Sequence, residues 1–407
     1  MNHGRTLVFA TILAGTVLAD SAAHAAACAV PGQWVDPLSG LAPHHDALIA
    51  ETAKHPVVLL GERHGSAEHH RWQLHTLAAL HAREPNMVIG FEMFPGRVQP
   101  ALDRWVGGEL TVKEFLAESN WAEVWGFEPG LYLPLFHFAR QHRLPMVALN
   151  VDRSLVSSVG REGWAAVPAE DRAGLTDPAP PPEAYRDSLA KVFAVKKRVS
   201  TRNVDMAAPM PEIPDEEIAA AKEDPAFGRF VEAQLTWDRA MAEALAEARR
   251  RPEAPLVVGI VGAGHAEHGW GIGTQLVDLG IKGTSVLLPV TPEACAELPT
   301  DAADAVFVVE RRAEPVAPRP RLGVFIETAD GGAKVMQVVE GSVAEAAKIE
   351  AGDVIVEAAG QPVTSSADLI AIVRRQAPGT WLPLTVKRDR LQTEIVARFP
   401  TRFDGHP

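Results

Sequence analysis

Apolar residues follow two alternating patterns along the first three quarters of the chain. Short apolar runs rich in Val, Ile and Leu are typical of buried strands, and they occupy Val57–Leu60, Met87–Phe91, Pro145–Asn150 and Leu256–Val261. Longer segments carry apolar residues at helical spacing, over Ala67–Ala82, Leu131–His142, Glu183–Arg198 and Phe227–Arg249. This alternation predicts an α/β fold with a mainly parallel sheet that is covered by helices on both faces.

Polar side chains follow each of the four predicted strands. They are Glu62 and His64 after the first strand, Glu92 after the second, Asn150 at the end of the third and His265 after the fourth. The carboxyl ends of parallel strands meet at one edge of a sheet, where α/β proteins place their functional crevice. We therefore expect one site, which requires that His64 and His265 lie in the same pocket.

Carboxylates and imidazoles at these positions suit two kinds of chemistry. Glu62, His64 and His265 have the ligand types of catalytic zinc or manganese. Together with Glu92 they also suit metal-free acid–base catalysis, with His64 as the base. A purely structural interpretation is that polar residues collect where strands reach the surface, but four polar strand ends together favour a site.

Two predicted helices add candidates for binding a cofactor. His69 and Gln73 lie four residues apart, and so on one face of the helix that follows Gly65. Asp238 falls on the apolar stripe of the long helix 227–249, and a carboxylate on a buried face needs a partner. It either orients a site histidine or forms a structural salt bridge. Asn150 would support the same site.

Composition changes divide the chain into segments. The predicted main domain spans 43–299 and contains a Pro-rich insertion at 177–225, which is either a lid or a surface excursion. A stiff, Pro-rich linker follows at 311–321, and a smaller domain occupies 322–400. The formal charge of −13 over 407 residues argues against a nucleic-acid partner.

The first 27 residues have the pattern of a signal peptide. Arg5 precedes an apolar run, Leu7–Ala19, that is too short to span a bilayer, and Ala23-His24-Ala25 fits a cleavage site. We therefore expect export to the periplasm or cell envelope. For the two cysteines, Cys28 and Cys295, three states remain open: a membrane-anchoring lipid on Cys28, a disulfide, or neither.

Several motifs in order along the main domain resemble the ChaN family. They are Leu59-Leu60-Gly61-Glu62-Arg63-His64 with His69, His70 and Gln73, then Val88–Phe94, Trp125-Gly126-Phe127, Tyr132-Leu133-Pro134, Ala148-Leu149-Asn150, Asp238 with Met241-Ala242, and Gly262-Ala263-Gly264-His265. The resemblance implies a bacterial envelope protein, often a lipoprotein, that binds haem and serves iron supply. It also implies kinship with Tiki-like and erythromycin-esterase-like groups, in which similar motifs form a hydrolase site.

The tail resembles a PDZ domain of the type found beside bacterial proteases. Leu322, Gly323 and Val324 resemble its carboxylate-binding loop, whereas Val343 and Ala347 replace the usual proline and glycine nearby. The resemblance implies a small β-rich domain that takes the carboxyl terminus of a peptide or protein as an added strand. The alternative is a packing module without a ligand.

Three functions follow from these patterns. The first is haem or iron binding, for which His or Tyr supplies axial ligands; Tyr132 is a candidate, although its leucine neighbours also indicate a core aromatic, and Tyr185 in the insertion could cover a porphyrin. The second is a metal-dependent peptidase or esterase, whose PDZ domain recruits the substrate. The third is a scaffold with an inert main domain, so whether the chain is an enzyme stays open.

Overall fold

The computed structural model describes residues 28, 30–201, 213–310, 320–329, 331–388 and 391–401. The chain divides into two compact units between Arg312 and Ala313. The predicted signal peptide 1–27, nearly all of the predicted linker 311–321 and part of the predicted insertion lie outside the described residues.

The first unit alternates strands and helices as the apolar pattern predicts. Its strands are β1 (Trp34–Val35), β2 (Val57–Glu62), β3 (Met87–Pro95), β4 (Met146–Asn150), β5 (Leu256–Gly262), β6 (Ser285–Val290) and β7 (Ala305–Val308). Its helices are α1 (His45–Thr52), α2 (Ala67–Arg83), α3 (Gln99–Gly107), α4 (Val112–Glu118), α5 (Trp121–Val124), α6 (Leu133–His142), α7 (Arg153–Glu162), α8 (Glu183–Thr201), α9 (Asp215–Lys222), α10 (Phe227–Arg249), α11 (Ala263–Ala266), α12 (Ile272–Asp278) and α13 (Pro292–Ala296).

These strands form one sheet in the order β1-β7-β6-β2-β5-β3-β4. Every neighbouring pair is parallel except β1 with β7. The central strands β2, β3 and β5 are buried along their whole length, as expected when helices cover both faces. Separate apolar clusters fill the two faces of the sheet. The α/β fold with a mainly parallel sheet is confirmed.

Three of the strands that carry or precede site residues, β2, β3 and β5, extend beyond their predicted apolar runs. Strand β2 continues through Glu62, which pairs in register with Gly262 of β5, and β3 continues to Pro95. The site carboxylates Glu62 and Glu92 therefore belong to the hydrogen-bonded sheet and are held more rigidly than loop residues. The edge strand β1 and its neighbour β7 also extend the sheet beyond the predicted bounds 43–299.

A disulfide joins Cys28 to Cys295, with their Cα atoms 5.5 Å apart. Both residues are buried. Of the three states left open by the sequence, the structure has the disulfide. A thioether lipid would need the same sulfur of Cys28, so the disulfide disfavours a lipid on this residue, and membrane attachment stays a prediction.

The described part of the insertion packs onto the main domain. Apolar side chains of α8, among them Leu189 and Phe193, meet Phe227 and Phe230 of α10 in a buried cluster. Before α8, Ala179 and Gln275 form a reciprocal pair of hydrogen bonds of 2.8 and 2.9 Å. These contacts make α8 part of the folded unit, which disfavours a loose surface excursion.

The second unit is a small antiparallel sheet with two helices. Its elements are β8 (Val324–Ala329), β9 (Gly332–Val338), α14 (Val343–Ala346), β10 (Val354–Ala358), β11 (Gln361–Pro362), α15 (Ser366–Arg374), β12 (Trp381–Arg388) and β13 (Leu391–Arg398). The strand order β13-β12-β10-β9-β8 leaves β8 at one edge, and its core is separate from those of the first unit. No helix in the described ranges is long and apolar enough to cross a membrane.

Candidate functional site

The carboxyl ends of four parallel strands bring the polar candidates together at one edge of the sheet. Glu62 ends β2, Glu92 lies near the end of β3, and His265 lies in α11 directly after β5. Asn150 ends β4, and its amide nitrogen donates to the backbone oxygen of Glu92 at 3.1 Å. The sequence therefore placed these residues at the correct edge.

Glu62 and His64 form the first of two histidine–carboxylate pairs. The Nδ1 atom of His64 lies 2.9 Å from Oε1 of Glu62, and the Tyr132 hydroxyl donates to the same oxygen at 2.8 Å. Burial alone would raise the pKa of Glu62, but hydrogen bonds from His64 and His70 outweigh it and lower the pKa to about 2. Glu62 is therefore a buried carboxylate that stays ionised.

The His64 ring responds to the same contacts. Burial would lower its pKa, but the hydrogen bond to Glu62 and the nearby charge of Glu92 raise it overall. Because Nδ1 faces Glu62, Nε2 is the nitrogen directed away from the pair. Among the described residues, none makes a hydrogen bond to Nε2.

His70 contacts both members of this pair, a role that the residue pattern assigned to its neighbour His69 instead. Its Nε2 lies 3.1 Å from the backbone oxygen of His64, and its Nδ1 lies 3.1 Å both from Oε1 of Gln73 and from Oε2 of Glu62. Burial opposes its charge, but Glu62 raises the pKa overall. The available signal was its position three residues before Gln73, on the same helix face.

His69 has a different role in the structure. Its Nδ1 accepts a hydrogen bond from the backbone N–H of Arg63 at 3.0 Å. Burial, together with the charges of Arg63 and His70, lowers its pKa to about 4, so the ring is neutral. The contact stabilises the loop between β2 and α2. Cofactor binding by His69 stays a prediction, while Gln73 is buried and donates to the backbone oxygen of Leu60.

Asp238 and His265 form the second histidine–carboxylate pair. Oδ1 of Asp238 lies 2.6 Å from Nδ1 of His265, and Oδ2 accepts a hydrogen bond of 2.9 Å from the Tyr185 hydroxyl. Burial would lower the pKa of His265, but attraction to Asp238 raises it to about 9. Of the two roles considered for Asp238, the structure has the one in which it orients a site histidine.

Glu92 lies between the two pairs. Its Oε1 is 3.9 Å from Nε2 of His265, and its Oε2 accepts the backbone N–H of Gly262. A Cβ atom on Gly262 would lie 3.0 Å from Cε1 of His64 and 3.4 Å from Oε2 of Glu92. The two pairs thus share one pocket, as the prediction for His64 and His265 required, and only a glycine fits between them without displacing a ring.

The residues proposed as zinc or manganese ligands do not form a metal centre. In the part of the chain that the structure describes, no group of three or more His, Cys, Asp or Glu side chains is arranged to hold a metal ion. Several of the candidate ligand atoms face other groups of the site instead. Glu62 faces His64, His70 and Tyr132, and Asp238 occupies Nδ1 of His265.

Aromatic side chains line the open side of the first pair. The His64 side chain is 32% exposed, and the edges of Trp125 and Phe127 approach it with ring centroids 4.6 and 5.5 Å away. Phe127 is itself 39% exposed. Arg63, which directly precedes His64 in the sequence, is also exposed. A partly exposed imidazole therefore lies against two aromatic rings, and an exposed arginine precedes it in the sequence.

In the second unit, the predicted peptide-binding residues begin the edge strand. Gly323 has a φ of +80°, and a Cβ atom there would lie 2.2 Å from Cβ of Ser342. Val324 starts β8, and the carbonyl of Leu322 accepts from the N–H of Ala344 at 2.8 Å. The unpaired edge of β8 lies beside α15, on which Ile370 is exposed. This is the arrangement that strand addition requires.

A mainly parallel sheet with a polar site at its carboxyl edge, followed by a small antiparallel unit, defines a two-domain protein of the α/β–PDZ kind. The family model described as haem-binding uptake, Tiki superfamily, ChaN matches residues 48–276, and the chain belongs to this family. A PDZ domain model matches residues 320–396. Both families inferred from the motifs are confirmed.

One solved structure shares the fold of the first unit, and others resemble shorter parts of the chain. The structure described as cofacial haem binding to ChaN of Campylobacter jejuni is 18% identical, with a TM-score of 0.51, over 68% of this chain and 96% of that one. A PDZ domain of HtrA3 bound to a phage-derived ligand is 24% identical over 19% of this chain and 82% of that one, with a TM-score of 0.18. A serine endoprotease from Yersinia pestis is 26% identical over 21% of this chain and 29% of that one, with a TM-score of 0.19. No curated relative matches the chain.

Proposed function

We propose that this chain binds haem in the cell envelope and that its PDZ domain takes the carboxyl terminus of a peptide or protein partner. Haem supplies an iron that accepts a histidine or tyrosine ligand. The observation that carries the proposal is the setting of His64, whose partly exposed ring lies against Trp125 and Phe127 and whose Nε2 has no hydrogen-bond partner among the described residues. Support also comes from the family, whose model is described as haem-binding uptake.

The two tyrosines do not fit an axial role. Both are buried, and each donates its hydroxyl to a carboxylate, Tyr132 to Glu62 and Tyr185 to Asp238. Burial and the adjacent carboxylate raise the pKa of both phenols, which disfavours the phenolate. Tyr132, predicted as a cofactor ligand, is instead a hydrogen-bond donor inside the site.

His64 fits the role. Donation of Nδ1–H to Glu62 fixes the ring orientation and leaves the Nε2 lone pair for the iron, as carboxylates that accept from metal-bound histidines do. The two aromatic rings beside His64 suit a porphyrin face, and Arg63 can pair with a propionate. Since a bound imidazole must lose its Nε2 proton, and the pKa of His64 is raised, affinity should increase with pH near neutrality.

Haemin titration of the purified protein tests this proposal. We expect a Soret band that His64→Ala removes and that Glu62→Gln weakens, with about 10- to 100-fold lower affinity in the latter. His142→Ala is the matched control, because His142 is an exposed histidine on α6 that is not part of the site. Haem binding would have to be assigned elsewhere if His64→Ala kept the wild-type spectrum and affinity.

Peptide binding by the PDZ domain is tested separately. Fluorescence anisotropy should detect binding of peptides that end in a free carboxylate and an apolar residue, and amidation of the same peptides should abolish it. Gly323→Ala should also weaken binding, because its φ is unfavourable for alanine and its Cβ would collide with Ser342. Equal binding of free and amidated peptides would support the alternative of a packing module.

A hydrolase is the second candidate, and one observation favours it. Glu92 lies between two histidine–carboxylate pairs, so a carboxylate and two imidazoles of different environment share one pocket. This set could move protons to and from a water and a leaving group without a metal. The test is turnover of ester and peptide substrates, which His265→Gln should abolish while leaving haem binding through His64 intact. Undetectable turnover in the wild type would remove this candidate.

We also infer that the chain is exported to the periplasm or envelope, where haem uptake would take place. The signal-peptide pattern at 1–27 supports export. The disulfide between Cys28 and Cys295 adds support, since such bonds persist in oxidising compartments. Cell fractionation followed by thiol alkylation would test both points: the processed protein should be periplasmic and without free thiols.

A further inference from the structure

The second histidine–carboxylate pair receives a hydrogen bond from the insertion. Tyr185 lies in the first turn of α8, is buried, and donates its hydroxyl to Oδ2 of Asp238 at 2.9 Å. The other oxygen of Asp238 contacts Nδ1 of His265 at 2.6 Å. A continuous chain of hydrogen bonds therefore runs from the insertion to the site.

Each side of the Asp238 carboxylate has a single partner. Among the described residues, Tyr185 is the only side chain that donates to Oδ2, and His265 is the only one at Oδ1. The space around the carboxylate is also full, since a Cβ on Gly271 would lie 2.8 Å from Oδ1. Without the tyrosine hydroxyl, Oδ2 would be a buried oxygen with no donor, and such groups reorient to find one.

We propose that Tyr185 is a positioning residue for His265: its hydroxyl holds Asp238 in the orientation in which Oδ1 accepts the Nδ1–H of His265. The inference goes beyond the proposed function, because it assigns part of the insertion to the site whichever ligand or substrate the site takes. The insertion then forms a wall of the pocket and also sets the hydrogen bonding of a histidine within it.

The packing of α8 explains how the hydroxyl is held in place. Leu189 and Phe193 continue the buried face that begins with Tyr185, and they contact the same helix, α10, that carries Asp238. Trp237 of that helix approaches the His265 ring edge-on, with centroids 6.2 Å apart. The donor and the acceptor thus lie on two helices that share a core, so the distance between them depends on that core.

Imidazole NMR of protein labelled with ¹⁵N-histidine tests the proposal without haem or substrate. In the wild type, the Nδ1–H of His265 should give a downfield, slowly exchanging signal, identified by its absence in His265→Gln. Tyr185→Phe retains the ring packing and removes only the hydroxyl, and should speed exchange of that proton at least about tenfold or abolish the signal. Tyr132→Phe is the matched control, since its hydroxyl serves Glu62, and it should leave the signal unchanged.

Hydrogen exchange of the backbone gives a second, reciprocal test. If the Tyr185 hydroxyl and the Asp238 carboxylate are coupled, Asp238→Asn should weaken the hydrogen bond between them. Amide exchange in α8 should then increase, and the Nδ1–H signal of His265 should change. Amides of α6, which carries neither partner, should be unaffected. The proposal is overturned if Tyr185→Phe preserves the His265 signal, or if Asp238→Asn leaves exchange in α8 at the wild-type rate.

Discussion

Replacing Cys28 and Cys295 together by serine should lower the free energy of unfolding of the first unit by about 3–5 kcal/mol. The bond joins residues 267 positions apart, and constraint of the unfolded chain grows with the length of the closed loop. Both sulfur atoms are buried, so the variant also loses packing. A midpoint of thermal unfolding about 10 °C lower is the expected readout.

The disulfide lies in the segments that precede β1 and β7, at the β1 edge of the sheet, and we expect it to stabilise that edge. Strand β1 has two residues and, among the described strands, pairs with β7 alone. These two strands follow Cys28 and Cys295 in the sequence. A ladder of this length is marginal without support. The control is wild-type protein treated with reductant, which should unfold at the temperature of the double-serine variant. Coincident unfolding of oxidised and reduced protein would show that the edge is stable without the bond.

The parts of the fold that follow from periodicity were predictable from the sequence. The long helix 227–249 was predicted with its observed bounds, because its apolar stripe continues without interruption over 23 residues. The four site-bearing strands were found as apolar runs; the end of β4 at Asn150 was correct, but the ends of β2, β3 and β5 were placed too early. The apolar run ends before Glu62, but the backbone of Glu62 still pairs with β5. A pattern of hydrophobic residues cannot show this, because it depends on side chains and not on backbone pairing.

The site was predictable only at the level of topology. Parallel strands place their carboxyl ends together, and this rule was sufficient to bring Glu62, Glu92 and His265 into one pocket. It does not specify which atoms face one another. The proposed zinc or manganese set finds no support among the described residues, in which Nδ1 of His64 and Nδ1 of His265 each face a carboxylate and no group is arranged to hold a metal ion.

Residues that contact the site from distant segments had the weakest sequence signals. Tyr185 is separated from Asp238 by 53 positions and lies in a segment interrupted by prolines, so no spacing rule connects the two. His70 was obscured by its neighbour His69, since either could face the strand until the phase of the helix is known. The contact of Tyr185 with Asp238 and that of His70 with Glu62 are both tertiary contacts, and a pattern along the sequence does not contain such contacts.

Glu62 should control the acid stability of the first unit. Its pKa is lowered from the usual 4.5 to about 2, so the unfolded state binds more protons than the folded state between these values. The stabilisation is complete above pH 4.5 and is lost as the pH falls through about 2. A shift of this size corresponds to about 3 kcal/mol. Urea unfolding across this range should therefore show stability falling with pH.

Glu62→Gln tests this assignment because it retains the shape and removes the charge. At pH 7 the variant should be less stable by about 3 kcal/mol or more, since buried His64 and His70 lose their shared anion. Below pH 4.5 its stability should fall less steeply than that of the wild type. Glu68→Gln on α2 is the control, because Glu68 pairs with exposed Arg71, and such surface pairs contribute at most about 1 kcal/mol. Parallel pH profiles for wild type and Glu62→Gln would show that another group sets the acid limit, and the central role of this carboxylate in holding His64 would then have to be abandoned.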